Sequence, residues 1–228
     1  MADLLRRYGL ALIGLALILL VPLAVYHRLP DPMPTHWNLS GEVDGWMPRR
    51  WGAALMPMIS LVTTLLMIAA PRLSPRGFGM ASLERTYPWI VTAVVCFELY
   101  LSALILNAAL NGATLTVGQP LTVIGLLLAV LGNYFGKTTR NFFFGVRTPW
   151  TMADDEVWRR THRLAAPLFV AGGIVLMLIG STQATPEYLA LATLSIVVIV
   201  PVVYSYLLWR LIRERGNPNA AAPYKERD

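Results

Sequence analysis

The chain has 228 residues, of which 56% are hydrophobic and 14% charged, and its net charge is +6. A soluble domain carries about 25% charged residues, so this composition excludes a disordered chain and most soluble enzymes, and the single Cys96 excludes a disulfide scaffold. A mean hydropathy of +0.54 fits a polytopic membrane protein, where helix exteriors are as apolar as helix contacts.

A hydrocarbon core of about 30 Å needs about 20 apolar helical residues. Six stretches reach or approach that length: 8–26, 51–70, 88–110, about 117–135, 164–182 and 187–209. The expected fold is therefore all-α, a bundle of six transmembrane helices with both termini cytoplasmic. It divides into a three-helix part over 1–110, a second three-helix part over 111–215 and a flexible tail over 216–228. Arg6-Arg7 ahead of the first apolar stretch imitates a signal peptide, but no A-x-A cleavage site follows, so the stretch reads as an uncleaved helix.

The first loop, 27–50, is expected outside the cell. Pro30, Pro32 and Pro34 favour extended backbone, and Ser40-Gly41 and Asp44-Gly45 signal turns, so an ordered cap with a short hairpin is expected. Its candidate ligand-binding residues are His36, Trp37, Asn38, Asp44 and Trp46. Trp37, Trp46 and Met47 suit an apolar peptide, and they equally suit the lipid headgroups. His36, Glu42 and Asp44 have metal-ligating chemistry but match no strong ligand spacing, so no metal site is assigned.

The third apolar stretch carries Glu98 near its middle. A carboxylate at that depth costs roughly 2.5–3.5 kcal/mol on insertion scales. It is expected protonated or facing a wet cavity, with Ser102 one turn on, or Asn107, nearby. Two readings stand: a ligand or proton site, and an interhelical hydrogen bond. The fourth stretch is the weakest, because Gly118-Gln119-Pro120 interrupts its start.

The loop at 136–163 is the most informative. Thr151-x-x-Asp154 reads as a helix start, and a short amphipathic helix is expected from about Ala153 into the fifth span. Trp150, Trp158 and Phe142–Phe144 are expected to anchor it at the membrane interface. Lysine and arginine orient the chain. Sixteen of the nineteen lie before span one, between spans two and three, between spans four and five, or after span six; only Arg28, Arg49 and Arg50 lie on the other side. The richer side is expected in the cytoplasm.

An ordered series runs through this loop: Asn133, Lys137, Asn141, Gly145, Arg147-Thr148-Pro149-Trp150, Trp158 and Thr161-His162-Arg163. It resembles the signature of SdpI-type membrane proteins. Leu29–Trp46, with L-P-D-P-M-P-T-H-W-N-x-x-G-x-x-D-G-W, resembles the domain of unknown function that commonly precedes that signature. The resemblance implies an immunity protein that protects a bacterial cell from a secreted toxic peptide. It also implies signalling, in which the inner loop holds a cytoplasmic repressor at the membrane. The implied partners are thus the lipid bilayer, a peptide toxin and a repressor, with no cofactor and no direct nucleic-acid contact.

The alternative is a small transporter or channel using Glu98, against which stand one deep acid and no internal repeat. An enzyme is not expected: no nucleophile elbow, HExxH or phosphate loop occurs.

Overall fold

The computed structural model describes residues 2–38, 40–75, 78–112, 115–182 and 187–216. Of the tail expected at 216–228, Gly216 ends the last helix, and the rest, with Lys225 and Arg227, lies outside the described residues, as does Arg76. Among the described residues six helices are long and apolar enough to cross a bilayer: α1 (Ala2–Ala24), α2 (Arg49–Leu73), α3 (Tyr87–Asn111), α4 (Gly118–Phe135), α6 (Asp155–Ser181) and α7 (Glu187–Gly216). A single short turn of helix, α5 (Pro149–Ala153), precedes α6. The protein is a multi-pass membrane protein.

The helix exteriors are oily. Leu10, Leu66 and Leu178 are each about 60% exposed, as suits side chains solvated by lipid tails. Inside, Ala11, Val91, Val95 and Leu83 are wholly buried in a core that joins α1 and α3 to the end of α4 and the start of α6. Pro22, Pro57, Pro71, Pro167 and Pro201 lie inside helices.

The tightest pair is α4 on α6. Gly118, Gly125 and Gly132 recur every seven residues along one face of α4. A Cβ on Gly118 would lie 2.4 Å from the Gly180 carbonyl oxygen, one on Gly125 2.4 Å from that of Gly173, and one on Gly132 2.9 Å from that of Ala166. The two backbones touch, so dispersion between them replaces side-chain interdigitation.

Loops gather at two ends. At one end Arg7 of α1 lies 3.5 Å from Glu84 between α2 and α3. Ser82 meets Thr139 beyond α4, and Thr148 meets Ser205 near the end of α7. At the other end stands the expected hairpin, β1 (Met33–Trp37) antiparallel to β2 (Val43–Met47), with Met33 opposite Met47 and Trp37 opposite Val43.

The helix expected from about Ala153 into the fifth span begins at Asp155, with Asp154 rather than Thr151 as its cap, and a separate turn, α5, precedes it. Thr148 caps α5, and Asp154 caps α6, which then continues unbroken into the apolar span. Asp154 Oδ1 accepts from the Glu156 and Val157 amides at 2.7 and 3.0 Å, so the acid restarts the helix rather than riding inside it.

Candidate functional site

The ordered series in the 136–163 loop folds the loop on itself. Asn141 is 1% exposed and acts as its hub. Its Oδ1 accepts from the Phe143 and Phe144 amides at 3.0 and 2.7 Å, while Nδ2 donates to Thr138 Oγ1, the Thr139 carbonyl and the Phe144 carbonyl. A buried amide with this many partners fixes a turn that no regular ladder supports.

Gly145 follows with φ of +121°, a conformation open only to glycine. That turn brings the Val146 amide to His162 Nε2 at 2.9 Å. Nε2 therefore accepts, and Nδ1 donates to the Trp158 carbonyl at 2.8 Å. The imidazole is neutral with its proton on Nδ1; a second proton would face the Val146 N–H. His162 stacks on Trp158 with centroids 4.0 Å apart, and Phe135 packs edge-on against it. Trp158 Nε1 donates to the Thr138 carbonyl at 2.9 Å.

The Thr-Pro-Trp stretch is a capped helix start. Thr148 and Thr151 cap each other, Pro149 fills the first helical position, and Thr148 Oγ1 lies 3.0 Å from Ser205 Oγ of α7. Trp150 packs on Tyr206 of α7, centroids 5.0 Å apart. Arg147 donates to the Phe142 carbonyl at 2.6 Å while its side chain stays exposed. Thr161 is buried at the α6 core.

This placement corrects one expectation. Trp158 and Phe144 are core residues, at 1% and 8% exposure, and do not anchor the loop in the headgroups; Phe142 and Trp150 remain at the surface. Asn133 and Lys137 are exposed, and Lys137 Nζ sits 5.6 Å from the Tyr134 ring centroid. Arg163 is exposed too, and with Arg159, Arg160 and Tyr204 it lines a cavity of about 400 Å³. Glu156 pairs with Arg159 at 2.5 Å and with Arg160 at 2.6 Å. Most of the motif is therefore spent on building the loop, and Lys137, Phe142, Arg147 and the α6 arginines are what it presents.

At the hairpin end, Met33 is buried against Gly52 of α2 and anchors β1. Gly41 has φ of +78°, and a Cβ there would lie 2.4 Å from the Leu115 carbonyl oxygen, so the hairpin tip is seated on the α3–α4 connection. Between hairpin and helices opens a cleft of about 270 Å³. His36, Trp37 and Asn38 form its upper wall, and Leu104 of α3, Val117 just before α4 and Pro120 of α4 its lower one. Trp37 Nε1 is buried there without a hydrogen-bond partner. His36 Nδ1 lies 2.5 Å from Asp44 Oδ1, so Asp44 orients the rim. Trp46 sits on β2 opposite Pro34, 55% exposed, and does not line the cleft. Asn38 and Glu42 hydrogen-bond to each other, and among the described residues no three His, Cys, Asp or Glu side chains converge.

Glu98 is 6% exposed and Ser102 3% exposed, inside the bundle as expected. The neighbours are corrected. The Glu98 carboxyl faces Ser60 and Thr63 of α2, whereas Asn107 is exposed and accepts from Asn111. A single-helix argument sees only the i+4 partner and misses hydroxyls that packing brings from the adjacent span.

Comparison with known proteins follows this geometry. Residues 137–205 match the SdpI/YfhL protein family, and residues 13–61 match a domain of unknown function, DUF1648. The chain is 23% identical over 203 residues to the immunity protein SdpI of Bacillus subtilis (strain 168), covering 87% of this chain and 92% of that protein. No solved structure matches the chain.

Proposed function

From a multi-pass membrane protein that carries an SdpI/YfhL segment behind a DUF1648 segment, we propose an immunity protein that protects the cell against a membrane-active peptide. The likeness to an immunity protein over most of both chains supports the role. The cleft between His36–Asn38 and the ends of α3 and α4 is the observation that carries the mechanism. It is apolar below, bordered by His36, Trp37 and Asn38 above, and stands at the mouth of the bundle. A peptide leaving water for lipid finds there apolar side chains under a polar and aromatic rim, a combination that suits an amphipathic chain.

In this reading the hairpin faces the outside and the cation-rich end faces the cytoplasm, following the distribution of lysine and arginine. The face made by Lys137, Phe142, Arg147 and the α6 arginines then meets the cytosol, where it suits an acidic partner such as a repressor held at the membrane. No catalytic chemistry is assigned to either end. A second reading, a transporter using Glu98, draws on the buried and unpartnered Glu98 Oε2; its mark is substrate flux in proteoliposomes that Glu98→Gln abolishes.

The test of the first reading is survival. Sensitive bacteria expressing the protein are challenged with a panel of secreted membrane-active peptides. Wild type is expected to protect against at least one, and Trp37→Ala to lose protection at equal membrane abundance. Protection unchanged by Trp37→Ala and by Leu104→Ser removes the cleft from the mechanism. Killing unchanged by the wild type across the panel removes the immunity role.

A further inference from the structure

Serine and threonine inside a helix ordinarily return their hydroxyl to a carbonyl three or four residues back. Thr92, Thr122, Thr193 and Ser205 do so here, at 2.7–2.9 Å. Ser60 and Thr64 of α2 do not. Both are 0% exposed and neither hydroxyl returns to its own helix; Thr64 Oγ1 has no hydrogen-bond partner, and Ser60 Oγ has only the Glu98 carboxyl beside it. Glu98 Oε2, from α3, is buried and without a hydrogen-bond partner as well.

The three belong to one place. Ser60, Thr63 and Thr64 occupy i, i+3 and i+4 on α2, the triangle that shares one helix face. The Glu98 carboxyl faces two of its corners, Ser60 and Thr63. Ser102, one turn from Glu98, is 3% exposed. Leaving buried polar oxygens unmatched costs about 1–3 kcal/mol each, and an uncompensated carboxylate in the bilayer costs more. Among the described residues no cationic side chain is paired with that charge. No Asp, Glu, Lys, Arg or His occurs over 8–24 of α1, 51–71 of α2 or 118–135 of α4, and on α3 itself the other titratable groups are Tyr87, Cys96 and Tyr100. The hairpin strand β1, which touches α3, brings only His36, exposed and paired with Asp44.

We propose that Glu98, Ser60 and Thr64, with Thr63 beside them, form an intramembrane site for one monovalent cation, H⁺ or Na⁺. The donor set decides the ligand class. Every orphan atom is an oxygen with a lone pair, which suits a hard cation and repels an anion. One carboxylate neutralises one positive charge; a divalent ion would leave a net charge in the membrane core. The site stands independently of the peptide cleft and of the immunity role.

The experiment uses the full chain in lipid nanodiscs, with thermal unfolding followed by tryptophan fluorescence from pH 5 to 9. Each pH is run in sodium chloride and in N-methylglucamine chloride at equal ionic strength. Occupancy by Na⁺ raises Tm by about 5 °C or more once the salt exceeds its dissociation constant some 100-fold, and the rise is absent in Glu98→Gln. Occupancy by H⁺ alone gives a Tm that climbs as pH falls, equal in both salts and again absent in Glu98→Gln. Ser60→Ala, which removes only one oxygen, weakens either dependence several-fold and serves if Glu98→Gln does not fold. A wild-type Tm indifferent to both ions overturns the proposal. So does a dependence that survives in Glu98→Gln, or in Ser60→Ala if Glu98→Gln does not fold.

Discussion

Gly145→Ala is the sharpest perturbation of the motif loop. At φ of +121° an alanine has no comfortable conformation, and its Cβ would stand 2.2 Å from His162 Nε2, about 1.2 Å short of an ordinary 3.4 Å contact. The backbone strain is worth about 1–3 kcal/mol. Moving the imidazole by that distance breaks the 2.9 Å bond from the Val146 amide, for about 1–3 kcal/mol more. The sum, about 2–6 kcal/mol, rivals the whole stability of many domains. Thermal unfolding of the purified protein should show Tm lowered by about 5 °C or more, since each kcal/mol moves Tm by about 2–4 °C at this size. His162→Ala removes the obstructing ring, so the double variant should lose less than the two single losses added. A Gly145→Ala protein melting within about 1 °C of wild type, or strictly additive costs, would refute the reasoning.

Other expectations follow from the same contacts. Trp158→Phe keeps an aromatic ring against His162 but strands the buried Thr138 carbonyl, for a loss of about 1–3 kcal/mol by unfolding. Thr148→Val removes the cap of α5 and the pair with Ser205, about 0.5–2 kcal/mol for the cap itself. Gly9 and Gly125 are opposite controls. Gly9 has nothing within 4 Å of a Cβ, so Gly9→Ala should stabilise by about 0.5–1 kcal/mol. Gly125→Ala must push α4 off the Gly173 carbonyl and should lower Tm in the same assay. Arg147→Gln, at an exposed side chain, should leave Tm nearly unchanged and weaken any partner contact.

The spans were legible because hydropathy alone decides which segments enter lipid: α2, α3 and α4 begin and end within three residues of the apolar runs, while α1 starts and α7 ends in polar turns beyond theirs. The start of α6 showed through a different signal: Asp154 to Arg163 are too polar for a hydropathy run, but the cap chemistry around Thr151 and Asp154 placed it within two residues, and Asp154 supplies the cap. The hairpin showed through its prolines and turn glycines, but its cleft did not, because Leu104, Val117 and Pro120 approach it from distant parts of the chain. The motif residues were identifiable as a set. Their division into builders and presenters required burial: Asn141, Trp158 and His162 look as reactive in sequence as Arg147 does, and only their enclosure assigns them to the scaffold. The α4–α6 seam was not read from the sequence, where Gly118 stood only as an interruption of the fourth stretch; the approach of Gly118 and Gly125 to Gly180 and Gly173 reveals it.

The account depends most on the hairpin and the Arg147 loop lying on opposite sides of the bilayer. In a Cys96→Ser background, Asp44→Cys and Arg147→Cys each place one thiol at an exposed position. A membrane-impermeant maleimide added to intact cells should label Asp44→Cys directly and Arg147→Cys only after permeabilisation. Labelling of both before permeabilisation, or of Arg147→Cys alone, would contradict it.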